Sequence, residues 1–561
     1  MVLLVREREN NWWMKNRLVI QQVDDAKMYF GTENDVIDLV NRYTPPDVPP
    51  SMAQYEASVN QATTETPAGV TKDSQLPTGV QKKPVPLFKS NYRCMRHVQS
   101  NTVIERGRNI TTEPNERPIL FTSCQFENLC LNRRGEWILF KDMKEREQVD
   151  GKVWVFAAPI DSKNFEPAKI RIHVKSPPLF IDEQKGHDNS DRYVKLATNF
   201  KWVSIPTFGY FRHAAGNIGH ILMDNLMTLF NNMVNFEYVN MNNVLLFLDD
   251  VFNKETGLHS KGRMNANVGE RTSMSMARFI SKHAPLQMCY NNRRGYYIHN
   301  APCRQEERDD TFQLTPTEGN EIETCFSSIT MGSPESYYFD IHGREVIIPL
   351  FRNFMMRRLN MMTRNKYDKE YFTRKKTLTI AIHNKVSGHH TDSIINQDKI
   401  AQYLRVRENE ILSKVNAERQ TSYEHVKVVN LVLEDLTFME QLEFFSSLDV
   451  YITTQGSASY MAMFMLNPNS IMIYPPLCYA DTLQCTDFNI RFHVTFTNVK
   501  TVSLMNRLDM IECVRDNRYS GKGFEVSKAP VVRYPFGTCP LRIDPVKMYE
   551  VVLSELLEIS R

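Results

Sequence analysis

What this 561-residue chain lacks narrows its class before any motif does. No apolar run reaches the ~18 residues that cross a bilayer as a helix, so no transmembrane segment is expected. The opening stretch, MVLLVRERENNWWMKNRLVI, is broken by charge and does not read as a secretory signal peptide. An excess of charge of one sign is missing as well. The 68 Lys and Arg residues nearly balance 65 Asp and Glu, a formal net charge of +3. That balance gives no reason to expect nucleic acid as a partner. CxxC pairs and Cys/His metal spacings are absent, so no metal site is expected.

What is present reads as globular. Hydrophobic residues make up 42% and charged residues 24%. The length exceeds one ordinary core, so several domains are expected. The 10 cysteines are even in number and dispersed. They admit two readings: free buried thiols, which suit a cytoplasmic chain, or disulfides, which suit a lumenal or secreted one. Cys124/Cys130 and Cys478/Cys485 are close enough in sequence to close small disulfide loops. Asn109-Ile110-Thr111 is a glycosylation acceptor sequon.

Residues 1–45 form a mixed N-terminal segment. From 46 to 90 the composition turns to Pro, Thr, Ser, Gln and Ala, too polar to repay its ordering entropy, and reads as a disordered stem or linker. The 91–195 region is mixed and partly β, with a hairpin expected around Cys124–Cys130 and Trp137. Val244 to Leu248, Thr377 to Ile382, Val426 to Val432, Asp449 to Thr453 and Ile471 to Tyr474 read as buried strands. Amphipathic helices are expected at Asn217–Leu229, Phe438–Phe445 and after Asp544-Pro545. Arg352, Arg357 and Arg358 are read as the solvated face of a further helix. Strands alternating with helices imply a parallel sheet, whose ligands bind where strands turn into helices.

Gln455-Gly456-Ser457-Ala458-Ser459 lies at such a turn. Its small residues permit close backbone approach, and the helix behind it favours anions. His220 and Asp224, at i and i+4, share one helix face, which suits a general base with its orienting carboxylate or a plain surface pair. Asp249-Asp250 has no evident third partner for a metal. A serine nucleophile at Gly456–Ser459 would need G-x-S-x-G, which the sequence does not supply.

The order of residues adds a resemblance. E-D-L-T-F-x-E-Q (434–441), F-F-S-S-x-D-V-x-I (444–452), Q-G-S-A-S (455–459) and N-x-x-H-x-x-x-D-x-L (217–226) together resemble glycosyltransferase family 61. The C-x-F-x-N-L-C hairpin at 124–130 is also similar to that family. The resemblance implies an α/β protein of GT-B type: two Rossmann-like domains facing across a cleft, with an N-terminal partly β region. The acceptor-side domain would span 196–365 and the nucleotide-sugar domain 366–545. A C-terminal helix, 546–561, would return to the first domain. It implies an inverting transfer of N-acetylglucosamine or xylose from a UDP-sugar to a glycan or glycoprotein hydroxyl, with no cofactor or metal required. It also favours a Golgi, ER-lumenal or secreted setting over a cytoplasmic one. His220 would be the base, oriented by Asp224, or Asp224 would act directly. Gly456, Ser457, Ser459 and Gln455 would meet the donor, with Glu434 and Glu440 near it. Two departures stand out. Gln455 replaces the family's His, and the arginines with which the family grips phosphate are missing, so Lys385 and His390, near those positions, would partly replace them at the donor. Those departures motivate a rival expectation, a non-catalytic glycan- or nucleotide-binding protein that keeps the fold.

Overall fold

The computed structural model describes residues 90–558 apart from internal stretches, among them 142–152, 157–168, 176–194, 213–217, 249–272, 304–313, 333–346, 359–368, 386–392, 488–492, 515–524 and 527–537. The N-terminal segment and the linker up to residue 89 lie outside the described residues. Mixed α/β architecture is present, carried by two large sheets of 13 and 5 strands, with three smaller sheets of two or three strands beside them among the described residues.

The first sheet has 13 strands in mixed directions and curls into a half-barrel. Its main strands are β1 (Asn91–Cys94), β2 (Ser123–Asn132), β3 (Trp137–Phe140), β4 (Leu196–Val203), β5 (Thr207–Tyr210), β6 (Val244–Phe247), β7 (Leu286–Asn291) and β8 (Ile322–Gly332). Nearly the whole of β8 is buried, so both its edges and both its faces must be covered. On one edge it pairs antiparallel with β2, which forms the expected hairpin with β3. Along the other edge run β4 and then β5, both parallel to it. β6 and β7 continue the parallel block outward from β5.

The expected first Rossmann-like sheet therefore takes another form. A doubly wound sheet has parallel neighbours around its centre, whereas β2, from the 91–195 region, lies antiparallel against β8. Regions 91–195 and 196–365 share this one sheet.

All 10 cysteines are paired, so the free-thiol expectation is overturned. The bridges are Cys94–Cys124, Cys130–Cys325, Cys289–Cys303, Cys478–Cys485 and Cys513–Cys539. Cys478–Cys485 is one of the two small loops expected. The other is not formed, because Cys124 and Cys130 sit on the same strand facing different partners: Cys124 is opposite Cys94, and Cys130 is opposite Cys325. Five disulfides fit an oxidising setting, lumenal or extracellular. Cys130–Cys325 spans a sequence separation of 195 and ties β2 to β8. Replacing both cysteines by serine should lower stability by about 3–5 kcal/mol, read from urea denaturation under non-reducing conditions. A loss below about 1 kcal/mol would mean that the β2–β8 ladder needs no staple.

The second sheet is all parallel. Its strands are β9 (Thr377–His383), β10 (His425–Leu431), β11 (Val450–Ile452), β12 (Ile471–Tyr474) and β13 (Lys500–Ser503), ordered β10-β9-β11-β12-β13. In chain order this is 2-1-3-4-5, a doubly wound arrangement whose switch point lies between β9 and β11. Side-chain alternation explains how both faces are filled. Leu378, Ile380, Ile382, Val450, Ile452, Ile471 and Ile473 pack with α4 (Gln397–Val406), α5 (Glu408–Arg419) and α7 (Pro545–Glu558). Ala381, Tyr451, Met472 and Tyr474 pack with α6 (Phe438–Ser446) and the 3-10 helix Ser457–Phe464. Asp544 caps α7, accepting from Val546 N–H at 2.9 Å. Instead of returning to the first sheet, α7 lies on α4 and α5, where Met548, Val552 and Leu556 join their core.

The two sheets meet through their helices. Leading out of β5, the chain forms α1 (Ile218–His220), a π-helical stretch (Ile221–Met227) and α2 (Thr228–Asn235). These and α3 (Ile347–Arg358) share one apolar cluster with Leu442, Phe445 and Tyr460–Met465 from the second sheet's helices. Phe279 and Phe438 meet edge to face across that junction, with ring centroids 5.0 Å apart. Arg352, on α3, departs from the solvated face expected of it: burial pulls its guanidinium down to about 10.

Candidate functional site

The two motifs of the sequence come together. Gly219, in α1, lies against Ser457, the first residue of the 3-10 helix. A β-carbon built on Gly219 would stand 2.6 Å from Ser457 Cβ and 2.7 Å from its Cα. Only glycine allows that approach. His220, next in the chain, is thereby carried beside the Gly456-Ser457 turn, and that turn follows β11 at the switch point of the second sheet.

His220 Nδ1 bonds Asp224 Oδ2. The His220 side chain is 30% exposed, whereas that of Asp224 is wholly buried. The bond at Nδ1 fixes the orientation of the ring. The second carboxylate oxygen, Oδ1, is buried with no hydrogen-bond partner among the described residues. Asp224 sits inside the π-helical stretch, a widened turn that recurs at functional sites.

Gly456 adopts φ 130° and ψ −165° at the head of the 3-10 helix, a conformation open essentially to glycine alone. Gly456→Ala should therefore cost about 1–3 kcal/mol in a denaturant titration. An unshifted midpoint would show that the turn relaxes freely. Ser457 is half-buried against Gly219. Ser459 is fully buried, and its hydroxyl reaches Gly456 O at 2.7 Å and His493 Nε2 at 2.8 Å. Gln455 is buried too and donates to Pro475 O at 3.3 Å. Its side chain braces the ends of β11 and β12.

Lys385 follows β9 and is half-buried. His383, the last residue of β9, is buried. Desolvation first, and then the charge of Lys385, bring its imidazole down to about 4, so it is neutral at physiological pH. Its Nδ1 has no hydrogen-bond partner among the described residues. Both residues lie at the switch point, across from the Gly456 turn in strand order.

Other candidates serve the fold. Glu440 is exposed and completes a capping box with Thr437, whose N–H it accepts at 2.8 Å. Neighbouring Gln441 donates to Leu433 O at 2.8 Å and Leu436 O at 3.1 Å, bracing the loop before α6. Glu434 is exposed in a short 3-10 turn. Asn396 pins the strand before α7, donating to Ile543 O at 2.8 Å and accepting from Ile543 N–H at 3.0 Å. His390, Asp249 and Asp250 lie outside the described residues. Among the described residues no group of three His, Cys, Asp or Glu side chains could hold a metal ion.

Two residues escaped sequence reasoning. Arg212, fully buried just beyond β5, stacks its guanidinium 4.3 Å from the Phe247 ring centroid. Its charge suggests an exposed side chain, and nothing local in the sequence signals the burial. His493 carried no local signal, since it reaches Ser459 from 34 residues away.

No protein-family model matches this sequence, and no curated protein matches it either.

Proposed function

We propose that this chain is an inverting glycosyltransferase, moving N-acetylglucosamine or xylose from a UDP-sugar to a hydroxyl of a glycan or glycoprotein. The observation that carries this reading is the close approach of Gly219 to Ser457. It sets a half-exposed imidazole, backed by a buried carboxylate, beside a glycine turn at the switch point of a parallel sheet. The resemblance to glycosyltransferase family 61 supplies the reaction class. In the reaction, the acceptor oxygen bonds the anomeric carbon as the bond from that carbon to the UDP oxygen breaks. His220 Nε2 takes the acceptor's proton, and Asp224 stabilises the imidazolium that forms. Charge on the departing diphosphate would be met by N–H groups at the head of the 3-10 helix and by Lys385. The oxidising setting fits glycan synthesis in the secretory route.

Gln455 favours a second reading. With its side chain committed to Pro475 O, it is not presented to a ligand as the family's histidine would be. A binding protein that recognises UDP or a glycan without turning it over would tolerate that.

One experiment separates them. The purified, disulfide-intact chain is incubated with a panel of UDP-sugars, with released UDP and melting temperature as readouts. UDP at a hundred times its Kd adds about 2.7 kcal/mol of stability. Stabilisation with UDP release supports the enzyme, and stabilisation without release across donors and acceptors supports the binding protein. No stabilisation by any nucleotide removes the enzyme and the nucleotide-binding protein, and leaves only a glycan-binding protein.

A further inference from the structure

The pairing of Ser459 with His493 looks at first like a nucleophile with its base. Proton accounting says otherwise. Ser459 Oγ lies 2.7 Å from Gly456 O and 2.8 Å from His493 Nε2. A carbonyl oxygen can only accept, so the one hydroxyl proton goes to Gly456 O. Nε2 must then carry the other proton and donate it to Oγ. A protonated Nε2 cannot take a proton from that hydroxyl, and both side chains are fully buried. Serine hydrolysis is thus not what this pair performs.

We propose that His493 is a positioning residue: as the Nε2–H tautomer it orients the Ser459 hydroxyl, which locks the Gly456 carbonyl and holds the Gly456–Ser459 turn in its ligand-binding form. Gly456 O also receives Ser459 N–H at 3.0 Å, so one carbonyl is fixed from two directions. Tyr474 and Phe496 hold the imidazole in turn, with ring centroids 4.4 and 6.0 Å away. Tyr474 ends β12, so the latch ties the turn after β11 to the neighbouring strand. Burial brings the His493 imidazole down to about 3, so the neutral ring persists across the working pH range. The role in ligand binding presupposes the nucleotide-sugar reading, whereas the latch itself does not.

Three variants test it. His493→Phe keeps the ring against Tyr474 and removes the donor. His493→Gln places an amide N–H near the position of Nε2, and His493→Asn places it near Nδ1. Hydrogen exchange across 455–465 should quicken about tenfold or more in the Phe and Asn variants and stay near wild type in Gln. UDP Kd by calorimetry should follow the same order, weakening about tenfold in Phe and Asn with Gln restored. Selective 15N-histidine spectra, with the His493 signals assigned by their loss in His493→Phe, should show that ring protonated at Nε2 and insensitive to pH across the working range. A ring protonated at Nδ1, unchanged exchange in the Phe variant, or equal damage in Gln and Phe would each overturn the latch. A wild-type chain that binds no UDP would overturn the functional reading and leave exchange and the ring tautomer to decide the latch.

Discussion

Replacing His220 by alanine should reduce sugar transfer by at least ~10²-fold, the usual scale for losing a general base. UDP affinity should stay within about threefold, because the turn that would meet the nucleotide belongs to the second sheet. Alanine also leaves the buried Asp224 carboxylate without the imidazole at Oδ2, so stability should fall by about 1–3 kcal/mol. Asp224→Asn differs in an instructive way. The buried carboxylate is the partner of Nδ1, and an amide there removes the charge that supports an imidazolium. Its rate should fall with the fold retained, measured as kcat for transfer beside a thermal melt. Undiminished turnover by His220→Ala would move the search for the base to Asp224, and a loss of rate no greater than the loss of folded protein at the assay temperature would assign the pair to structure.

How much of this was legible in the sequence follows from the range of each interaction. Strands β9 to β12 and helix α6 were readable because each is a local apolar run with its own boundaries. Thr437 and Glu440 spell a capping box in the sequence. That signal was available and offered a structural reason for the E-Q motif that needs no ligand. The curled sheet was not readable. β8 pairs with β2, and Cys130 with Cys325 at a separation of 195, so no window along the chain holds both partners. The burial of Ser459 had the same cause. Composition marks it as a small polar residue in a turn, and only the fold brings His493 and Tyr474 around it. The motifs thus marked a candidate site, in which the structure sets His220 and Ser457 at the glycine turn and commits Gln455, Ser459 and Glu440 to bonds within the fold.

Gly219→Ala should do more damage than the size of a methyl group suggests. The added carbon would stand 2.6 Å from Ser457 Cβ, 2.7 Å from Ser457 Oγ and 2.7 Å from Ser457 Cα. The hydroxyl could rotate away, but the Cα belongs to a turn whose carbonyl is held by Ser459. Relief therefore requires α1 to move off the 3-10 helix, at a cost of about 1–3 kcal/mol. That movement would separate His220 from the glycine turn, so transfer should fall by at least ~10²-fold although no catalytic atom is changed. Ser457→Gly should restore part of the loss, because it removes Cβ and Oγ and leaves the new methyl group crowded by the Ser457 backbone alone. A positive coupling between the two substitutions in a double-mutant cycle, read in both melting temperature and rate, is the expected signature. Wild-type stability and rate in Gly219→Ala would mean that α1 and the turn do not touch, and the juxtaposition on which the functional reading rests would be gone.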